Sequence, residues 1–431
     1  MKVSHLYIDN YNQFKNFELD LTYPAGHPKA GQPLDKVCII GQSGTGKTSL
    51  LNKINWSKSG VYPIFEIINS KTDYIASNGR DYKSFEGKSY IKLQSSTPEK
   101  SYKIYDNDSI VYILYKNSQQ TNLPYPKRFF IDATTGTKEF NNKNESWVKI
   151  VEDIINFQEL DNKKKQEIGQ VLISSGGDTN RVKLEYEKYE KWVSSILNPI
   201  KYLAENFLDK ILNKFNLRVK QNFDSLKPEE IAKLKEDIVN LRIETLQGVE
   251  VPSGLLSTGT KQVILTTLPL FALKPENDIV LIDEPENSLY PDIQSEIVEF
   301  YTSLVKNCQF FFATHSPLIA SCFEPWEIVE LKFNPDGSVY RELYYDAEKG
   351  NHVDNYTIDP RYLRWDSILT RLFDLDKDSN EARTRKLMEL ATLRSKIQKA
   401  NGKLSPEERQ QLQTQFEKLA ELLDWEYDAE N

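Results

Sequence analysis

The sequence predicts an α/β fold: a mixed β-sheet core with an antiparallel β subdomain, an inserted helical lobe and a C-terminal helical hairpin. Three observations carry this. The runs "KVCII", "DIVLIDEP" and "CQFFFATHS" are short, apolar and end in polar residues, as strands covered on both faces do. The first of them passes through a glycine-rich turn directly into a helical pattern. Between the first and the other two lie stretches of alternating aromatic and polar residues, then a long stretch of helical periodicity.

Taken in order, "KVSHLYIDNYNQFKNFELDLTY" reads as two strands around a turn. "KVCII" is the first buried strand, and "KTSLLNKINW" the helix after it. From about Val61 to Ile131 the alternation in "KSYIKL", "KSYKIYD" and "SIVYILYK" predicts antiparallel strands. From about Glu145 to Leu241 the pattern is helical, with "SSGGD" separating two arms. Helices of roughly 30 residues span only about 45 Å, so this is a compact lobe, not a long coiled-coil arm. Strands resume at "LRIETLQG", and "WEIVELKFNPDGSVYRELYY" predicts a hairpin turning at Asp336-Gly337. The tail predicts an αα-hairpin. Asn401-Gly402 stops its first helix, and Ser405, Pro406 and Glu408 start its second. Leu412, Phe416, Leu419 and Leu423 line one face of that second helix. The expected division is 1–144, 145–241, 242–345 and 346–431.

Composition narrows the class. The chain has 431 residues, 39% apolar and 27% charged, ordinary for a globular protein of two or three lobes. The start has no unbroken apolar core and no run approaches the ~18 residues that cross a bilayer. A cytoplasmic protein with no membrane partner is expected. Cys38, Cys308 and Cys322 show no CxxC spacing, so neither a disulfide framework nor a zinc site is supported. A net charge of −8 argues against nonspecific coating of nucleic acid, although DNA in a local basic groove stays open.

"GQSGTGKT", Gly41, Gln42, Ser43, Gly44, Thr45, Gly46, Lys47 and Thr48, fits GxxxxGK[ST] between a buried strand and a helix, with Ser49 next in the helix. Glycines let backbone N–H groups wrap phosphates, Lys47 reaches the β- and γ-phosphates, and the Thr48 hydroxyl ligates Mg²⁺. The alternative is a glycine-rich turn that happens to hold a lysine. "IVLIDEPENSLYPD" delivers Asp283 and Glu284 at the carboxyl end of a buried strand, where open α/β sheets bind ligands. Asp283 would hold the metal through water and Glu284 would orient the attacking water. A pair of solvated acids is the plainer reading. "QFFFATHSPLIAS" repeats the design and ends at His315, about thirty residues on, so His315 is expected beside Glu284. "GLLSTGTKQ" is a second anion-binding helix start, with Ser257, Thr258 and Gly259, some two hundred residues from the first.

In order, Gly41–Thr48, Ser257-Thr258-Gly259, Asp283-Glu284, Ser288-Leu289 and His315 resemble the phosphate loop, signature loop, acidic strand, D-loop and switch histidine of ABC-type ATPases. Within these the chain resembles the soluble RecF/SMC/OLD-like branch. "LIDEPENSLYPDIQ" and "ATHSPLIAS" look like ATPases of the OLD group and of bacterial antiviral systems such as Septu and PARIS. The resemblance covers residues 1–60 and about 240–325. It implies ATP and Mg²⁺ as ligands, hydrolysis of ATP to ADP and phosphate, and a head-to-tail homodimer, with higher oligomers open. Ser257 and Gly259 would contact the γ-phosphate held by the opposite subunit. Gly259→Arg is then expected to leave ATP binding by one head nearly intact and to abolish ATP-dependent dimerisation and turnover.

The departures are Thr260, where the family has Gln or Glu, and the Q-loop, for which Asp132 is the first candidate and Gln158 the second. OLD-type proteins often carry a Toprim nuclease. The helical tail lacks its acidic arrangement, and "DLDKDSNEARTR" fails as a calcium loop at Ser379 and Arg385. "NKKKQ" reads as a solvated face. The expected function is an ATP-dependent switch in antiphage defence that controls a separately encoded effector, a nuclease. A RecF-like ATPase that clamps DNA and an ATP-bound scaffold with negligible turnover are the alternatives.

Overall fold

The computed structural model describes residues 2–55, 64–68, 90–94, 101–105, 128–132, 145–174, 176, 178–195, 198–220, 241–343, 359–373, 375, 380–399 and 405–425. Two compact units result, Met1–Leu363 and Arg364–Asn431.

Among the described residues of the first unit, eleven strands form one sheet. Its parallel centre consists of β3 (Lys36–Gly41), β7 (Arg128–Asp132), β11 (Ile279–Asp283), β12 (Gln309–Ala313) and β13 (Ile328–Phe333), in the order β13-β3-β12-β11-β7. Every residue of β11 and β12 is buried, the consequence of apolar runs that must be covered on both faces. β7 corrects the expectation that 61–131 is antiparallel throughout. Its middle, "FFI", is a continuous apolar run, not an alternating one, and the strand pairs in parallel with β11.

The flank is antiparallel. β1 (Lys2–Tyr11) forms a hairpin with β2 (Phe14–Asp20) and continues through β5 (Tyr90–Gln94) and β6 (Ser101–Tyr105) to β4 (Ile64–Ile68). "SIVYILYK" lies outside the described residues. The hairpin of β13 and β14 (Val339–Glu342) turns at Gly337, which has φ 80°. Leu6, Phe14, Leu19, Ile39, Leu281, Phe311 and Leu331 fuse flank and centre into one core, closed by α1 (Lys47–Ile54) through Leu50, Leu51 and Ile54. The buried Gln309 side chain ties the two parts by bonding Val3 N, Val3 O and Leu34 O.

The helical arms are α2 (Glu145–Ser174) and α3 (Thr179–Ser195), joined by a Phe157–Trp192 stack at 6.3 Å and a Tyr189–Asp161 hydrogen bond of 2.6 Å. "NKKKQ" lies on α2, where Lys164 pairs with Glu167 and Lys165 with Asp161. The stretch is not helical to its end. β8 (Leu217–Val219) pairs with β9 (Ile243–Thr245), which pairs with β10 (Glu250–Val251). Val219 and Ile243 are buried and join Ile150, Leu203, Ile264 and Leu268 in a second core, so residues far apart in sequence supply a pattern invisible within either stretch. That core includes one face of α4 (Thr258–Leu273).

In the second unit α5 (Glu381–Lys399) and α6 (Pro406–Leu422) pack through Leu390, Phe416, Leu419 and Leu423. Ser405 and Glu408 form the expected capping box, at 3.2 and 2.9 Å. Leu412 is half-buried. Asn401-Gly402 and most of "DLDKDSN" lie outside the described residues.

Candidate functional site

Parallel pairing puts the last residues of β3, β7, β11 and β12 at one edge, with Asp283 opposite both Ala313 and Asp132. Every chemical residue predicted on a strand end therefore arrives at the same place. Asp132 reaches it by its backbone; its side chain lies outside the described residues. Gln158 lies on α2.

The phosphate loop begins where Gly41 leaves β3 with φ 151°. A Cβ there would stand 2.6 Å from Leu331 O on the neighbouring strand, so close strand packing demands glycine. Thr45 closes the loop, its amide and hydroxyl donating to Gln42 O at 3.2 and 2.8 Å. Gly46, at φ 87°, is the N-cap of α1 and supplies no side-chain cap. The first amides of α1 are thus left for an anion. Gln42, Ser43, Gly44 and Thr48 are exposed, and Ser49 is half-buried. Gln13, from the β1–β2 turn, lies over the loop and donates to Gly44 O at 3.2 Å, a contact that no sequence motif marked.

Lys47 is buried and folded onto the loop, donating to Gly41 O at 2.9 Å and Gln42 O at 3.3 Å. Burial pulls its ammonium down to about 8, while the charges of Glu284, Asp283 and Glu286 oppose the shift. The phosphate loop and the acidic strand are therefore one electrostatic unit. Asp283 is buried at the end of β11. Glu284 turns off the strand with φ 49°, its amide donating to Ala313 O at 2.8 Å. A left-handed glutamate costs roughly 1–2 kcal/mol, held here by the buried strands on either side.

His315 follows β12. Partial burial and the Lys47 charge hold its imidazole below its ordinary value, and Glu284 opposes them. Its amide donates to Glu286 Oε1 at 2.6 Å. Sequence reasoning passed over Glu286, although "DEPEN" offered a second acid two residues beyond Glu284. Burial raises the Glu286 carboxyl, against the His315 amide and the Thr314 hydroxyl.

Ser257 caps α4, its Oγ accepting from Thr260 N at 3.1 Å and lying 2.8 Å from Thr260 Oγ1. Thr260 is buried, with its hydroxyl against that of Ser257. Ser257 and Thr258 are exposed. Gly259 is buried, and a Cβ on it would lie 2.4 Å from Ser288 O. Any side chain at 259, that of Gly259→Arg included, first meets the chain's own 284–289 loop. Lys47, Asp283, Glu284 and His315 thus share one site, while the 257–259 loop packs against Ser288.

The donor set suits Mg-nucleotide. Free helix amides and Lys47 match phosphates. The Thr48 hydroxyl and Asp283 are hard oxygen donors of the kind that hold Mg²⁺ alongside phosphate. Among the described residues no group of three His, Cys, Asp or Glu forms a metal site of its own, and no helix is long and apolar enough to cross a membrane.

A family model described as "AAA domain, putative AbiEii toxin, Type IV TA system" matches residues 36–321, well over half of the chain. The "Probable ABC transporter ATP-binding protein p29" of Mycoplasma pneumoniae is 31% identical over 110 residues, which are 25% of this chain and 39% of that protein. The chain thus spans about two fifths of that relative's length. Among solved structures, the SmcHead bound to the C-winged helix domain of ScpA matches 81% of this chain and 99% of its own, at 12% identity and a TM-score of 0.42. The SMC head domain from Thermotoga maritima matches 80% and 100%, at 13% identity and 0.39. With its phosphate loop, acidic strand and histidine on one sheet edge, the chain belongs to the AAA-domain family of that description.

Proposed function

We propose that the chain binds and hydrolyses ATP with Mg²⁺ as a nucleotide-dependent switch between separate and paired heads, and that the switch governs a separately encoded effector, a nuclease, in antiphage defence in the cytoplasm. The observation that carries the ATPase is the strand register, which ends β3, β11 and β12 at one sheet edge and so brings the Lys47 loop, Asp283-Glu284 and His315 together. In this reading Gly41 to Ser49 hold the phosphates and Lys47 neutralises them. Thr48 and Asp283 hold Mg²⁺, Glu284 orients water and His315 senses the γ-phosphate. Pairing is supported by the exposure of Ser257 and Thr258, which leaves that helix start open to a second copy's nucleotide. A defence role is supported by the family description, which names a toxin–antitoxin system. In the proposed division of labour, 1–144 and 242–345 form the ATPase, while 145–241 and 346–431 hold the effector or further copies.

The test is ATP turnover and light-scattering mass for wild type and Glu284→Gln, each with Mg-ATP. Turnover should fall about 10²-fold or more in the variant, and ATP-stabilised dimers should accumulate. Equal, near-zero rates in both would make ATP a structural ligand. Co-purification with the neighbouring gene's product tests the effector, and ATP-dependent DNA binding with a steep salt slope would point to a DNA clamp instead.

A further inference from the structure

Two loops that come from different strands are joined here by side chains that no motif accounts for. The loop after β11 carries Glu284 to Leu289, and the loop after β12 carries His315 and Ser316. Glu286 Oε1 accepts the His315 amide at 2.6 Å. Gln294, in the short helix Pro291–Gln294, uses both ends of its amide. Its Oε1 accepts from Ser316 Oγ at 2.7 Å and its Nε2 donates to Leu289 O at 2.8 Å. Leu289 N donates to Glu286 O at 2.9 Å, which closes the ring. Ser316 Oγ also accepts from Leu318 N and Ile319 N, so the far side of the switch loop is anchored to a helix start.

A loop that only needed a tie could use a neutral acceptor. Glu286 instead places a half-buried carboxyl there, with Oε2 shielded from solvent. Burying such a group costs free energy unless it is paired. The Glu286 carboxyl accepts the backbone amide of His315, whose imidazole feels the charges of Lys47 and Glu284. Just before Leu289 the same loop presents Ser288 O, the atom that closes over Gly259.

We propose that Glu286 and Gln294 are positioning residues: together they clamp the His315–Ser316 backbone to the 284–289 loop, so that His315 keeps its place beside Glu284 and any shift of the histidine is passed to the loop packed on Gly259. The proposal rests on the reading of His315 as the γ-phosphate sensor. A displacement of about 1 Å at such a group is worth on the order of 10²-fold in rate.

The experiment uses the full chain with Glu286→Ala, Glu286→Gln and Gln294→Ala, each alone and combined with His315→Ala. Glu286→Ala should lower kcat by about 10- to 10²-fold while KM for ATP changes little. Glu286→Gln keeps an acceptor for the His315 amide and should recover most of the loss. In the His315→Ala background Glu286→Ala should add almost nothing, because the group it positions is gone. Hydrogen exchange at the His315 amide should be fast in Glu286→Ala, slow again in Glu286→Gln and accelerated in Gln294→Ala. A full additional loss in the His315→Ala background, or unchanged exchange at that amide, would overturn the clamp. If wild type turns over no ATP, the enzymatic reading fails, and the exchange measurement still decides the clamp.

Discussion

Replacing Gly259 with alanine sets two effects of opposite sign against each other. Within a helix alanine is favoured over glycine by about 1 kcal/mol, and Gly259 stands in the first turn of α4. Its new Cβ, however, would lie 2.4 Å from Ser288 O and 3.3 Å from Leu289 Cδ2. The first distance is about 1 Å short of an ordinary carbon–oxygen contact. The obstacle is backbone, so no rotamer change relieves it, and either α4 or the 284–289 loop must move. Overpacking of this kind costs about 1–3 kcal/mol. Packing should win, with a net loss of about 1 kcal/mol, within a range of about 0–2 kcal/mol, and a fall of a few degrees in the apparent Tm. The assay is thermal melting of the nucleotide-free chain, with Thr258→Ala as the exposed control that should leave Tm within a degree or so. Gly259→Arg carries the same Cβ and should melt no higher than Gly259→Ala. A Tm for Gly259→Ala at or above wild type would refute the reasoning, because propensity alone would then have decided the outcome.

Burial raises the Glu327 carboxyl from 4.5 to about 7, the nearby Lys36 ammonium opposing, at 3.2 Å. Between these values the folded chain holds a proton that the unfolded chain has released. The contribution of this group to stability should therefore be greatest below about pH 4.5 and decline as pH rises toward 7, by no more than ~3 kcal/mol. Denaturation across that range should show the decline, and Glu327→Gln should flatten it; an unchanged slope in the variant would assign the effect elsewhere. In the second unit, Ser405→Ala removes the cap of α6 and should cost about 1 kcal/mol of hairpin stability, read as faster hydrogen exchange in its first turn. Equal exchange in the two proteins would mean the cap contributes nothing there.

The strand ends were the most legible part of the sequence. "KVCII", "DIVLIDEP" and "CQFFFATHS" are apolar because both faces are covered, and their polar endings mark where each strand leaves the core. The phosphate loop was legible for a related reason: backbone wrapping and a positive φ at Gly44 and Gly46 restrict the residue types allowed. β8 was not legible, because three residues following a helix become a strand only when residues 243–245 arrive to pair with them. The parallel direction of β7 was equally hidden, since direction depends on its partner. Gln13, Glu286 and Gln294 escaped notice because their roles consist of contacts with loops 31, 29 and 22 residues away in sequence.

The sequence by itself determined the chemistry available: the phosphate loop, two carboxylates after one strand, a histidine after another and a capped helix start with a glycine. Local spacing is enough for these, because each motif is built from backbone geometry over a few residues. Only the tertiary structure decided what each residue faces. Parallel pairing placed Asp283 between β7 and β12, and packing of α4 on the 284–289 loop turned Gly259 toward Ser288. The buried hydroxyl of Thr260 became the partner of Ser257. Those contacts join segments far apart in the chain, so their energies depend on the packed core as a whole and leave no periodic trace in either segment.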